Sequence, residues 1–281
     1  MGQLNFIRNI PNSITALNLV SGIIAIIFAL YGFLTYAGYF ILLAAVFDFF
    51  DGLAARALKV HSEIGKELDS LADVVSFGVA PTIIMFQLMA IALGGQDAFV
   101  GMFEYMSSAK IPPVVKVFMM NNLYGNDGVG FWTYFFLGVP FLIAIFSAFR
   151  LAKFNLDTRQ TSSFIGLPVP ANAIFMLSLG IIVENSATPS SLLDVILHPM
   201  TLLSVCVFFS YLLVSELPMF ALKFKNLSLK DNALRYGFIA FAVAVIAIFK
   251  LYGLPIIILA YILTSFVVWI ADTMKSNKML Y

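Results

Sequence analysis

The sequence predicts an all-α integral membrane protein, and three observations support this fold class. Of the 281 residues, 61% are hydrophobic and 11% are charged, whereas soluble domains are about 25% charged. The mean hydropathy is +0.97. The apolar residues fall in runs of about 20, the length that an α-helix needs to cross a bilayer. We therefore expect a polytopic bundle of helices in the cytoplasmic (inner) membrane of a cell.

The first element expected is a short amphipathic helix, residues 1–12, which sets Leu4, Phe6 and Ile7 against Arg8 and suits the membrane interface. Eight apolar segments follow, and we predict that each is a transmembrane helix. They are residues 13–34, 36–55, 68–93, 131–152, 167–183, 200–217, 234–251 and 254–271.

The connections between these segments predict the orientation of the chain. With eight spans, thirteen of the sixteen lysines and arginines lie on the side that holds both termini. The other three are Lys110, Lys116 and Lys250. Basic residues concentrate in cytoplasmic loops, so we expect both termini to be cytoplasmic. The longest connection, residues 94–130, then lies on the opposite side and has room for a short interfacial helix.

Four aspartates near the cytoplasmic side are the most informative polar residues. Asp48 and Asp51 are three apart at the end of the second segment, and Asp69 and Asp73 are four apart at the start of the third. Each spacing places its pair on one helix face, and a loop over residues 57–67 lets the two faces converge. Carboxylates at membrane depth need a cation or a partner. Hard oxygen ligands favour Mg²⁺ or Mn²⁺, with Ca²⁺ as an alternative.

Small and basic residues around the aspartates favour a phosphate ligand. Gly52, Ala55 and Gly65 remove bulk beside the carboxylates, and Arg56 can pair with phosphate oxygens. Two cations a few ångströms apart suit a phosphoryl displacement. Two other interpretations stay open. One is a structural cluster paired with basic neighbours, and the other is an ion-coupled transporter, although such a relay needs acids across the whole bilayer.

The run D-x2-D-G-x2-A-R-x8-G-x3-D-x3-D resembles the signature of the CDP-alcohol phosphatidyltransferases. The resemblance implies a helical membrane core, usually a homodimer, with its site facing the cytoplasm. It also implies that an alcohol displaces CMP from a CDP-linked lipid. All eight signature residues are present: Asp48, Asp51, Gly52, Ala55, Arg56, Gly65, Asp69 and Asp73.

The resemblance also implies a role for each of these positions. The four aspartates correspond to ligands of two divalent ions, and Asp73 also corresponds to the proposed general base. A Thr-x-x-Asn element in the first segment resembles part of the nucleotide pocket, although such residues at a helix start are often caps. The nucleotide-binding residues implied are Thr15, Asn18, Gly52, Ala55, Arg56 and Gly65.

Three further runs resemble the phosphatidylserine synthase branch of this family. They are Ser76–Pro81, Arg150–Asn155 with lysine at 153 in place of arginine, and Phe164–Ala171. This resemblance implies transfer of the phosphatidyl group from CDP-diacylglycerol to L-serine. Because the serine carboxylate needs a cation or donors, the candidates for binding it are Arg150, Lys153 and Asn155.

Two alternatives remain, one to serine as the acceptor and one to the residues assigned to bind it. Another alcohol, such as glycerol 3-phosphate, inositol phosphate or choline, can accept the same group. Arg150 and Lys153 can instead be ordinary cytoplasmic flanking residues.

The chain is expected to be a single membrane domain, residues 1–281, whose partners are these two substrates, membrane lipids and a second copy of itself. Within it, residues 13–171 form the catalytic core and residues 172–281 supply supporting helices. A net charge of +1 without a basic tail predicts no nucleic-acid partner. The single Cys206 excludes a disulfide framework within the chain.

Overall fold

The computed structural model of the protein describes residues 2–60, 62–108, 131–156, 164–185, 187–220, 228–230 and 232–278. In these residues the predicted all-α class is confirmed. A π-helical turn, Val74–Val79, joins the third and fourth helices, and a 3₁₀ turn, Lys250–Gly253, joins the last two. The helices are α1 (Gly2–Leu30), α2 (Leu34–Ala57), α3 (Glu63–Asp73), α4 (Ala80–Ser108), α5 (Phe131–Gly138), α6 (Phe141–Leu156), α7 (Val169–Glu184), α8 (Ser190–Ile196), α9 (Pro199–Val214), α10 (Ala233–Phe249) and α11 (Leu254–Lys278).

The helices make this a multi-pass membrane protein, but the expected count of eight spans is not confirmed. Within the described residues, five stretches are long and apolar enough to cross a bilayer, or six if the bent pair α8 and α9 forms one span. Helix α7 has only 16 residues. Residues 233–274 form one apolar stretch of 42 residues, although the chain breaks within it at Lys250, whose φ is 52°.

The start of the predicted 94–130 connection and the N-terminal segment differ from expectation. Helix α4 continues to Ser108, beyond the predicted end at residue 93, while residues 109–130 lie outside the described part of the chain. Helix α1 begins at Gly2 and includes Pro11, so the amphipathic segment is continuous with the first apolar helix. Its location at the membrane interface stays a prediction.

Helices α1 and α2 form a close antiparallel hairpin that supports the aspartates. Gly32 takes a φ of 84° at the turn between them, a conformation that glycine adopts without strain. Four small side chains, Ala25, Ala29, Ala37 and Ala44, are fully buried. Small residues let two membrane helices approach closely, so this pair is a rigid base for the side chains at its open end.

Helix α7 is the centre of the fold, which explains why a helix of 16 residues is sufficient there. Nearly all of its residues from Val169 to Val183 are buried, and it packs against α2, α4 and α11. Gly180 allows this contact, since a Cβ added there would lie 2.8 Å from Ile84 and 3.2 Å from Leu34. A helix surrounded by protein need not match the thickness of the bilayer.

A short antiparallel pairing ties the entrance of α7 to the end of α9. Strand β1 (Phe164–Ile165) pairs with β2 (Pro218–Met219). The backbone N–H groups of Gly166 and Leu167 then donate to the carbonyls of Leu217 and Leu212, each at 2.9 Å. The Phe164–Ala171 run therefore stabilises the junction between the start of α7 and the end of α9.

We predict that Gly166→Ala destabilises the protein. The φ of Gly166 is +76°, and an added Cβ would lie 2.7 Å from the Leu213 carbonyl and 3.0 Å from that of Ser215. Strained backbone of this kind costs about 1–3 kcal/mol, so the temperature of thermal unfolding in detergent should fall.

Gly237→Ala is the matched control for this change. Gly237 lies within α10, and nothing is within 4 Å of an added Cβ there. Alanine in a helix interior is favoured over glycine by about 0.5–1 kcal/mol. Equal unfolding temperatures for the two variants would contradict the assignment of strain to Gly166.

Candidate active site

Three of the four aspartates meet at the open end of the α1–α2 hairpin. Asp48 and Asp51 come from the last three turns of α2, and Asp69 comes from α3. One carboxylate oxygen of each lies within 4.8 Å of the others. Asp51 is 5% exposed, while Asp48 and Asp69 are half-buried. The loop between α2 and α3 therefore brings the two helix faces together as the spacing predicts.

The donor set and its surroundings fit a divalent cation. Three negative charges this close repel one another strongly in a poorly polarisable environment. One oxygen of Asp69, Oδ1, is buried and has no hydrogen-bond partner, and a buried charged oxygen without a partner is costly. Carboxylate oxygens are the ligands that Mg²⁺, Mn²⁺ and Ca²⁺ prefer. The cluster of Asp48, Asp51 and Asp69 is therefore able to hold such an ion.

Asp73 lies one helical turn beyond Asp69 and is not part of this close group. It is 9% exposed, and the Asn18 side chain donates to its Oδ1 at 3.1 Å. The backbone carbonyl of Asn18 in turn accepts a hydrogen bond from the Ser76 hydroxyl at 3.0 Å. Asp73 is thus held by α1, and its role as a fourth metal ligand stays a prediction.

The π-helical turn directly after Asp73 gives the Ser76–Pro81 run a physical role. Ser76, Phe77 and Gly78 are buried and pack this turn against α1 and α6. A Cβ added to Gly78 would lie 3.2 Å from Ser147 of α6, so the glycine permits that contact. Turns of this type occur frequently at functional sites, and here the turn fixes where α3 ends and where Asp73 points.

Thr15 contacts a predicted metal ligand directly. Its hydroxyl donates to Asp51 Oδ2 at 2.7 Å and lies 3.1 Å from the carbonyl of Pro11. Thr15 is 3% exposed. The Thr-x-x-Asn element of α1 therefore fixes two carboxylates, Asp51 through Thr15 and Asp73 through Asn18, in addition to the nucleotide contact that the resemblance implies.

A cavity of about 230 Å³ opens beside the carboxylates, between α1, α2 and α3. Four of the predicted nucleotide-binding residues line it, whereas Asn18 and Arg56 do not. The Arg56 side chain is exposed and donates from Nε to the Gly52 carbonyl of its own helix at 2.9 Å. The lining residues are Pro11, Asn12, Thr15, Asp51, Gly52, Ala55, Val60, Ser62, Gly65, Lys66 and Asp69.

Sequence analysis missed Lys66 as a cavity residue, although a signal was present. Lys66 stands three residues before Asp69, a spacing that places both on one face of a helix. Ser62 was also missed: its hydroxyl accepts a hydrogen bond from Gly65 N at 3.2 Å and caps the start of α3. Both residues belong to the same cavity wall.

The three predicted serine-binding residues lie in different surroundings. Arg150 is 6% exposed, donates from Nε to the Leu167 carbonyl at 2.9 Å, and interacts electrostatically with Asp73. Its guanidinium carbon lies 5.3 Å from the centre of the Phe154 ring. Arg150 is thus held rigidly in the interior, on the side of the site where Asp73 lies.

The other two candidates lie at the end of α6. Lys153 is exposed. The Asn155 side chain donates to the Ser70 hydroxyl of α3 at 2.9 Å, so it already has a structural partner. Of the three, only Arg150 is buried.

Comparison with known proteins gives a family and several relatives. The family model for CDP-alcohol phosphatidyltransferases matches residues 8–212, which extends past the predicted core. A CDP-diacylglycerol–serine O-phosphatidyltransferase of Bacillus subtilis is 32% identical over 161 residues, 57% of this chain and 69% of that protein.

Two other relatives have similar sequence identities over smaller shares of their own length. A protein of the same name from Helicobacter pylori is 30% identical over 177 residues, 62% of this chain and 58% of that protein. The archaetidylserine synthase of Methanothermobacter thermautotrophicus is 31% identical over 172 residues, 60% of this chain and 56% of that protein. The chain therefore spans less than two thirds of the length of these two relatives.

We predict that Thr15→Val weakens Mn²⁺ binding. Valine keeps the shape of the side chain but removes the hydroxyl that orients Asp51, and losing such a supporting contact typically costs about 10–100-fold in metal affinity. Titration of the purified protein with Mn²⁺, followed by electron paramagnetic resonance, measures the change.

Ser13→Ala is the control for Thr15→Val. Ser13 is an exposed hydroxyl on the same helix that donates to the Asn9 carbonyl at 3.0 Å, and it does not line the cavity. Its loss should leave Mn²⁺ affinity unchanged. If Thr15→Val also binds Mn²⁺ like the unmodified protein, the hydroxyl does not position a metal ligand.

Proposed function

The chain belongs to the CDP-alcohol phosphatidyltransferase family, and we propose that it transfers the phosphatidyl group from CDP-diacylglycerol to the hydroxyl of L-serine. The products are phosphatidylserine and CMP, so the protein is a transferase of phospholipid biosynthesis. The observation that carries the proposal is the meeting of Asp48, Asp51 and Asp69 within 4.8 Å beside a cavity built from the family signature. The names of the relatives support serine as the acceptor.

The nucleotide end of the lipid substrate is proposed to lie in the cavity. Gly52, Ala55 and Gly65 leave space along its wall, and the cytidine and its diphosphate fill that space. Two divalent ions, Mg²⁺ or Mn²⁺, held by the three carboxylates would neutralise the negative charge of the diphosphate and of the departing CMP. Thr15 keeps Asp51 in the orientation that this requires.

The acceptor end is proposed to lie on the Asp73 side of the cluster. Asp73 accepts the proton of the serine hydroxyl as the serine oxygen forms a bond to the phosphorus that carries diacylglycerol. The bond from that phosphorus to the oxygen shared with CMP breaks, and its electron pair leaves with CMP. Asn18 holds Asp73 in place for this transfer, because a base acts only within hydrogen-bond reach of its proton.

Arg150 is the residue proposed to bind the serine carboxylate. It is buried and interacts with the charge of Asp73, and arginine matches a carboxylate with two parallel hydrogen bonds. Lys153 and Asn155 are secondary candidates at the end of the same helix. The bond to Leu167 and the contact with Phe154 fix the guanidinium before serine arrives.

The membrane arrangement completes the proposal. The acyl chains of CDP-diacylglycerol lie between helices in the inner leaflet, and the cavity opens to the cytoplasm of the cell membrane. Residues 13–171 act as the core, residues 172–281 as supporting helices and residues 1–12 as an interfacial segment. The protein functions as a homodimer, as the resemblance to the family implies.

A second candidate function is the same transfer to another alcohol. Glycerol 3-phosphate and inositol phosphate carry an extra phosphate, which needs more cations than Arg150 and Lys153 supply, so these acceptors fit less well than serine. Choline lacks the carboxylate that Arg150 would bind. Membership of a transferase family removes the main support for the ion-coupled transporter, because the aspartates belong to the family signature.

We predict serine-dependent release of CMP from CDP-diacylglycerol by the purified protein with Mn²⁺ or Mg²⁺. Excess EDTA should abolish the release, and added Mn²⁺ should restore it, because the three carboxylates need the cation to bind the diphosphate. Chromatography of the labelled product identifies phosphatidylserine. CMP release with another alcohol but not with serine would overturn the acceptor, and no release with any alcohol would overturn the reaction.

We also predict that Asp73→Asn lowers kcat by about 100-fold or more, because general-base catalysis contributes about 10²–10⁴-fold. Asparagine keeps the size of the side chain but cannot take up the proton, and a parallel Mn²⁺ titration separates loss of the base from loss of a metal ligand. Rate measurements at saturating serine and CDP-diacylglycerol test this. The control is Asp194→Asn, an exposed acid on α8, which should keep full activity. Near-normal turnover by Asp73→Asn would show that Asp73 is not the base.

A further inference from the structure

Lys66 is the one cationic side chain among the described residues that line the cavity. It is the fourth residue of α3, and Asp69 follows three residues later. The two side chains therefore share a helix face, with their Cα atoms separated by about 4.5 Å along the helix axis. The cavity is thus lined by carboxylates and by a lysine that stands one helical turn before Asp69.

Arg56, the arginine of the signature, is not placed to contact a phosphate in the cavity. Arg56 is exposed, and its guanidinium folds back onto the Gly52 carbonyl of α2. A phosphate held at the carboxylate cluster would lie at the cavity, whose wall includes Lys66 and does not include Arg56. Sequence analysis assigned phosphate pairing to Arg56, and the geometry favours Lys66.

We propose that Lys66 binds the phosphate of the departing nucleotide, an assignment that rests on the proposed function of the cavity. A nucleoside diphosphate whose phosphates lie at the carboxylate cluster places an oxygen within reach of a flexible four-carbon side chain one turn away. The ammonium would strengthen its contact as negative charge collects on CMP during the displacement. Lys66 is thus a further substrate-binding residue, and it contacts the leaving group and not serine.

The present partner of Lys66 does not prevent this contact. Its ammonium donates to the Asn155 backbone carbonyl at 3.3 Å, which is longer than usual for this type of hydrogen bond. Charge-assisted bonds to phosphate are shorter and stronger, so the nucleotide would replace or share this partner. The separate bond from the Asn155 side chain to Ser70 keeps α6 attached to α3 when the lysine moves.

The test compares the binding of CMP and of cytidine to Lys66→Met and to the unmodified full-length protein with Mn²⁺, by isothermal titration calorimetry. A lost charge-assisted contact should weaken CMP binding about tenfold or more. Cytidine lacks the phosphate, so its affinity should be the same in both proteins. Lys66→Arg keeps a cation on a similar stem and should recover most of the affinity for CMP.

Lys59→Met is the matched control. Lys59 is an exposed residue of the loop between α2 and α3, and it does not line the cavity. The same loss of a positive charge at that position should leave CMP binding unchanged. Thermal unfolding of each variant checks that the fold is retained, which is expected because both lysines are exposed.

The outcomes separate this inference from the function on which it rests. If the unmodified protein does not bind CMP with Mn²⁺, the proposed function fails, and the inference fails with it. If that protein binds CMP and Lys66→Met binds it equally well, only the role of Lys66 is wrong. If Lys66→Met loses CMP and cytidine to the same extent, Lys66 maintains the shape of the cavity and does not contact phosphate.

Discussion

The repulsion among carboxylates at the end of apolar helices is the constraint on which the rest of the structure depends. Asp48, Asp51 and Asp69 each bring an oxygen within 4.8 Å of the others, in a part of the protein where water screens charge poorly. A cation that neutralises these charges and a rigid frame that prevents the side chains from turning apart both stabilise such an arrangement. The cluster therefore explains both the cofactor class and the close packing around it.

The frame is built from features that look unrelated in the sequence. The buried alanines of the α1–α2 hairpin hold two helices in contact, and the π-helical turn after Asp73 places α3 and α4 against α1 and α6. Thr15 and Asn18 of α1 then each donate a hydrogen bond to one carboxylate on a neighbouring helix, Asp51 and Asp73 respectively. The result is a group of three acids that can hold a cation and a fourth, Asp73, that is held by Asn18 and is proposed as the base.

Much of the site was predictable because helix periodicity and a short loop determine it. The spacings of three and four residues put the aspartates on converging faces, and the small residues of the signature do line the cavity. Other features depend on information that a single sequence lacks. Helix rotation decides that Lys66 faces the cavity while Arg56 bonds to its own helix, and a central helix of 16 residues is acceptable only because protein surrounds it. The count of eight spans is not confirmed for a related reason, since hydropathy does not distinguish a helix buried in protein from one in lipid.

The most direct test of the central claim is the Mn²⁺ signal in electron paramagnetic resonance for the unmodified protein and for Asp69→Asn, each with and without CMP. The account predicts tight Mn²⁺ binding and a change in the signal when CMP is added to the unmodified protein. It predicts that both are lost in Asp69→Asn, since removing one of three converging carboxylates breaks the cation site. Mn²⁺ binding of equal affinity in the two proteins, or a signal that CMP leaves unchanged, would contradict a cation site at the aspartates that binds the nucleotide.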